Sequence, residues 1–160
     1  MNILFINNNL QEHQKIVDSC NDNTRGIVYD QTVDTYDTLF NKYQALGVDS
    51  VSNVAIVAHN DSAVDSFSFL NNESAMTLGD GDADLDTWED FIDFMENFGI
   101  QNNLDLLACA LLANDKWKWS LNKLEEKLGD VNVRASDDNT GNLKVGGDWV
   151  LESDNVNIKD

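Results

Sequence analysis

Apolar residues fall into short runs that alternate with stretches of helical period. The runs NILFI (residues 2–6), RGIVYD (25–30), VSNVAIVAH (51–59), LDLLACALL (104–112) and VNVRAS (131–136) are bounded by polar residues, and each predicts a strand. Between them lie helical patterns. LQEHQKIVDSC (10–20) carries Leu10, Ile16 and Val17 at loosely helical spacing. TYDTLFNKYQALG (35–47) puts Tyr36, Leu39, Phe40, Tyr43 and Leu46 on one face and closes on Gly47. DADLDTWEDFIDFMENFG (82–99) aligns Leu85, Trp88, Phe91, Ile92, Met95 and Phe98, with acids in its first turn, where the helix dipole favours them. NDKWKWSLNKLEEKLG (114–129) opens at Asn114 or Asp115 and ends at Gly129.

The opening order β-α-β-α-β is that of a parallel sheet covered by helices. SFSFLNNESAMTLGD (66–80) alternates around an Asn-Asn-Glu-Ser turn, and GNLKVGGDWVLES (141–153) closes the chain; both predict β-hairpins. The expected fold is a single α/β domain over residues 1–160. It has three α/β/α layers and a mostly parallel central sheet with attached hairpins.

Charge narrows the partners. The 160 residues hold 29 acids against 10 bases, a formal net charge of -19. Nucleic acid and anionic membranes both call for a basic footprint, which is missing. Charged partners should be basic proteins, basic peptides or metal cations. With 42% hydrophobic residues the chain suits a folded domain. Its first apolar run is too short for a signal peptide or a membrane span, so a soluble protein with no address of its own is expected. Two cysteines do not make a disulfide framework.

Two strands end on reactive side chains. His59 closes the third run and Cys109 falls near the carboxyl end of the fourth. In open parallel sheets, sites form outside the carboxyl ends of strands. A thiolate nucleophile and an imidazole base need to be adjacent in space only. The bland reading makes Cys109 a small core hydrophobe and His59 a polar strand end. His13 and Cys20 read as surface and helix-end residues. Asp80, Asp82, Asp84 and Asp86 alternate along GDGDADLD, a spacing of hard oxygen ligands that could hold Ca²⁺. They depart from the EF-hand, since its sixth and twelfth positions counted from Asp80 are Leu85 and Phe91, not Gly and Glu. Otherwise they form an acidic helix start, or a loop that selects basic side chains of a peptide. Trp117 and Trp119 cannot share a helical face; one should be core, the other exposed and open to a partner.

The tail ASDDNTGNLKVGGDWVLES (135–153) resembles the closing signature of the domain-of-unknown-function family 4347. That signature is a Ser-x-Asp-x-Thr-Gly stretch leading to Gly-Gly-Asp-Trp and Leu-Glu. The family is common at the head of large secreted bacterial proteins and is similar to caspase-like, clan CD cysteine peptidases. The order of elements agrees over nearly the whole chain. The resemblance implies a His59/Cys109 dyad, with the backbone N–H groups of Asn60 and Cys109 as oxyanion donors. The closing hairpin should pack back on the domain and largely bury Trp149, with Gly146 and Gly147 supplying a bend before it.

Two positions depart from the enzyme pattern. Asn60 and Ala108 stand where caspase-like enzymes carry Gly, and one lost oxyanion donor costs roughly 2.7–4 kcal/mol. The expectation is therefore a non-catalytic structural or interaction module, a pseudoenzyme that could serve as subunit of an oligomer, a larger assembly or a virion. The alternative is a cysteine peptidase cleaving after basic residues. No cofactor is required, unless Ca²⁺ binds the aspartates.

Overall fold

Five of the apolar runs build one sheet. The computed structural model describes residues 1–59, 64–108, 112, 114–136, 150–151 and 156–157. The sheet holds β1 (Asn2–Asn7), β2 (Thr24–Tyr29), β3 (Asn53–Val57), β6 (Asn103–Leu107) and β7 (Asn132–Ala135). Their spatial order is β2-β1-β3-β6-β7, and every neighbouring pair is parallel. The chain runs from β1 outward to β2, then crosses back to place β3 on β1's other side. The β1/β3 junction is therefore the point where winding reverses.

Alternation along each strand separates two faces. Phe5, Ile27, Ile56, Leu106 and Ala135 stand in one register row across all five strands, each at most 5% exposed. Three helices cover this face: α2 (Tyr36–Gln44), α4 (Glu89–Glu96) and α5 (Asp115–Leu128). Aromatic rings join them to the sheet. Phe5 meets Phe94 at 5.8 Å and Phe98 at 5.6 Å, and Phe40 meets Phe98 at 5.9 Å. Trp88 and Trp117 pack edge to face at 5.9 Å. The alternate positions Ile6 and Gly26 lie against α1 (His13–Asp18) and the residues just beyond it; a Cβ on Gly26 would meet Val17 and Cys20 at 3.6 Å.

Side chains guard the sheet edges. Glu125 of α5 accepts the Val133 N–H of edge strand β7 at 2.9 Å. At the other edge Lys42 reaches the Val28 carbonyl at 3.4 Å. Such cover discourages strand-to-strand pairing between molecules.

The 82–99 pattern forms two helices where one was expected, α3 (Asp82–Asp86) and α4. The break sits at Thr87 and Trp88, which β5 (Met76–Thr77) claims. Thr87 Oγ1 accepts the Thr77 N–H at 2.7 Å, and Trp88 Nε1 donates to the Thr77 carbonyl at 2.8 Å. The expected core face holds at Trp88, Phe91, Ile92, Met95 and Phe98, with Phe94 added; Leu85 is half-buried.

The first hairpin is present as β4 (Ser66–Phe67) antiparallel to β5. In the tail, β8 (Val150–Leu151) pairs antiparallel with β9 (Val156–Asn157). Gly146, Gly147 and Trp149 lie outside the described residues. α5 starts where Asn114 Oδ1 accepts the Lys116 N–H and stops at Gly129, φ +73°, as its flanking residues predict. Among the described residues no helix is long and apolar enough to cross a membrane.

Candidate functional site

β3 and β6 are adjacent and parallel, in the register Val57↔Leu107. The pairing reaches one residue further, where the Ala58 N–H donates to the Leu107 carbonyl at 3.3 Å. Val57 is two residues before His59, and Leu107 two before Cys109. The strands that carry the two candidates are thus side by side and equally advanced. Both strands end earlier than the apolar pattern suggests, so His59 follows β3 and does not close it. His59 is exposed, while Ala58 and Ala108 are buried. Asn60 and Cys109 lie outside the described residues.

Two contacts brace the segments that carry the candidates. Asp65, in the connection after His59, accepts Lys116 Nζ at 2.5 Å and Asn114 Nδ2 at 3.1 Å. Lys116, followed by Asn114, holds the Asp65 carboxyl below the usual carboxylate range. Leu112, three residues after Cys109, donates its N–H to the Ser136 carbonyl beyond β7 at 3.0 Å. Sequence reading missed this bracing, because nothing in the spacing of residues 65, 114 and 116 announces it.

A second polar cluster occupies the carboxyl ends of β1 and β2, beside the winding reversal. Asn7, 1% exposed, donates Nδ2 to Gln31 Oε1 at 2.7 Å and accepts the Asn9 N–H at 3.0 Å. Tyr29 is also 1% exposed, and among the described residues its hydroxyl has no partner within hydrogen-bonding geometry. Burial pushes its phenol well above the ordinary range, with nearby Asn7 opposing. The run of three asparagines at residues 7–9 was the available signal.

The remaining candidates stand apart. Asp80, Asp82 and Asp86 are exposed and Asp84 is half-buried. Asp84 folds back over Gly79 and Gly81, and a Cβ on Gly81 would stand 3.1 Å from its Oδ2. Among the described residues no three His, Cys, Asp or Glu side chains come together as a metal site. His13 is half-buried, with Nδ1 3.2 Å from the Leu10 carbonyl. Cys20 is half-buried, and burial raises its thiol, which makes it a poor nucleophile. The two tryptophans divide as expected: Trp117 is 0% exposed and Trp119 45%.

A groove of about 340 Å³ runs between α2 and α4. Tyr36 and Phe94, stacked at 4.7 Å, line it together with Phe40, and Asp37, Glu73, Asp90 and Asp93 add four carboxylates and no base. Burial first, then Glu73 and Asp90, raises the Tyr36 phenol. Sequence reading missed this site too, since Glu73 comes from the hairpin turn and only the fold brings it to α2, where it accepts the Tyr36 N–H at 2.9 Å.

No curated protein and no solved structure matches the chain. The family described as "Domain of unknown function (DUF4347)" matches residues 3–160. With nearly the whole sequence and its five-stranded α/β core inside that match, the chain belongs to the DUF4347 family.

Proposed function

We propose that this chain is a non-catalytic interaction or structural module on a caspase-like, three-layer α/β/α fold, a subunit of a larger assembly such as a virion. The observation that carries the reading is Trp119, 45% exposed among the lysines of α5 on a molecule of net charge -19. A large aromatic left in solvent is the residue type that anchors interfaces. The layering is supported by α1 against Ile6 and Gly26 on one side and the aromatic helices against Phe5 and Ile27 on the other. Asn60 and Ala108, in place of two glycines, weigh against turnover.

The second reading is a cysteine peptidase acting after basic residues. Cys109 would be nucleophile, His59 general base, and the Asn60 and Cys109 N–H groups oxyanion donors. It is favoured by the equal advance of β3 and β6 and by the bracing through Asp65. One experiment separates the two. The protein is treated with a thiol-reactive probe across pH and incubated with Lys- and Arg-containing peptides, beside Cys109→Ala. The module reading expects no cleavage and no labelling of Cys109 below the ordinary thiol pKa of about 8.5. Cleavage lost in Cys109→Ala would overturn it.

A further inference from the structure

The structure carries two surfaces that complement one another. The first is the outer face of α5. Four of the ten basic residues of the chain, Lys116, Lys118, Lys123 and Lys127, lie in this one helix. Trp119 has Lys116 three residues before it and Lys123 four after it, its neighbours on a helix surface. Trp117 takes the buried side, so Trp119 faces away from the core. The other large apolar side chains exposed among the described residues are Val33, Leu46 and Val64; none is aromatic.

The second surface is the groove between α2 and α4. Its apolar lining is half-buried Tyr36 and Phe40 over the buried Phe94 ring, and its rim is Asp37, Glu73, Asp90 and Asp93. No ion pair among the described residues involves Asp37, Asp90 or Asp93. Their mutual repulsion is therefore relieved by any cation that enters. At about 340 Å³ the groove has room for one large aromatic side chain, and an aromatic lining suits an indole. α4 touches both α2 and α5, so groove and ridge belong to one helical layer without overlapping.

We propose that Trp119 of one copy seats in the α2/α4 groove of a second copy, with Lys116 and Lys123 exchanging their solvent-exposed pairs with Asp65 and Glu126 for the carboxylate rim. The contact is heterologous: each molecule offers its ridge to one neighbour and its groove to another. Such an interface generates rings if the rotation closes and filaments if it does not. The guarded edges of β2 and β7 disfavour the competing route, strand pairing between copies. The repulsion of two acidic molecules is screened beyond about 8 Å at physiological salt, while ridge and rim meet in contact. The inference rests on the module reading and names its partner as the chain itself.

Sedimentation velocity over a concentration series tests it, using wild type, Trp119→Ala and the double variant Asp90→Lys/Asp93→Lys. All three substituted side chains are exposed; Asp93→Lys alone is held in reserve, and unfolding midpoints confirm that each variant folds. Wild type should associate with rising concentration, and each variant should weaken association by roughly 30-fold or more. An equal mixture of Trp119→Ala and the groove variant should form one-to-one dimers that do not grow, because one ridge and one groove remain intact. Two results overturn the proposal: a monomeric wild type throughout, or association unchanged in either variant. The second would leave the module reading standing, whereas cleavage dependent on Cys109 would remove that reading itself.

Discussion

Arg134 on β7 and Asp105 on β6 are register partners, and the guanidinium grips the carboxylate with two bonds. Nε donates to Oδ1 at 2.6 Å and Nη2 to Oδ2 at 2.7 Å. Their side chains are only 13% and 11% exposed. They lie on the sheet face opposite the aromatic core, where Asp105 follows Leu104 and precedes Leu106 in the alternation. A planar fork fits a carboxylate in a way that an ammonium does not.

Removing one partner should therefore be costly. Arg134→Ala leaves a nearly buried carboxylate without its ion pair, and a loss of roughly 3–5 kcal/mol is expected. Arg134→Lys should fall between Ala and wild type. Replacing both, as Asp105→Leu/Arg134→Met, should recover most of the loss, because the desolvation of two charges goes with them. Urea unfolding midpoints of the four proteins decide it. A double variant no better than Arg134→Ala would show that the pair itself is what stabilises the sheet.

At the amino-terminal edge of the sheet a ladder of amides repeats across four strands. Asn53 donates to Asn2 at 2.9 Å, Asn103 to Asn53 at 2.7 Å, and Asn132 to Asn103 at 3.4 Å. Asn53→Ala breaks two bonds in partly buried surroundings, at about 1 kcal/mol each. Asn132 is exposed and holds the longest bond, so Asn132→Ala should stay within about 0.5 kcal/mol. Equal effects at both positions would contradict the gradient.

The ladder marks the boundary of what the sequence reveals. Strand positions are legible because burial on a parallel sheet demands short apolar runs, unbroken in NILFI and alternating with polar residues in VNVRAS at the sheet edge. That β3 and β6 are neighbours does not follow from the runs; it is implied only by the resemblance that sets His59 beside Cys109. The division between Trp117 and Trp119 is legible from helical spacing. Register is not, so the row Asn2, Asn53, Asn103 and Asn132 becomes visible only in the fold. The break at Thr87 also escapes a helical pattern, because its cause is the backbone of Thr77 on another element. The candidate site is legible as far as its strand ends. Its bracing by Asp65 and the groove completed by Glu73 depend on contacts distant in sequence.

Calcium offers a direct check on the alternating aspartates. The loop is already tied down without a metal: Gly79 donates its N–H to Ser120 Oγ at 3.0 Å, and Asp84 turns inward while Asp80, Asp82 and Asp86 point to water. Even a weak extracellular-type site, with Kd near 10⁻³ M, would add about 1 kcal/mol at about 5 mM Ca²⁺. That would raise the melting temperature of a domain this size by roughly 2–4 °C. The expected shift is below about 1 °C and equal for Mg²⁺. A larger, Ca²⁺-specific rise that disappears in Asp82→Asn/Asp84→Asn would establish a site.

Acid should find its weak point at Asp34. This carboxylate, 6% exposed, precedes α2. Burial pushes its pKa up, but the Asp30 N–H at 2.8 Å, Lys42 at 2.9 Å and the Thr38 hydroxyl at 2.9 Å outweigh that and hold it below the ordinary range. A carboxyl depressed in the folded state binds fewer protons there than in the unfolded chain. Its contribution is thus complete above the unfolded value of about 3.9 and is lost as pH falls through the lower folded value. Asp30, half-buried, and Asp65, exposed, are shifted the same way, and solvent screening keeps their share small. Asp34→Asn should lower stability at neutral pH and flatten its fall below about pH 4. At the alkaline end, Tyr29 and Tyr36 are raised chiefly by burial. They should cost stability as pH climbs above the unfolded tyrosine value of about 10. Urea midpoints of wild type and Asp34→Asn between pH 2.5 and 7 test the acid limb. Parallel curves would mean that Asp34 is not the group whose protonation loosens the fold.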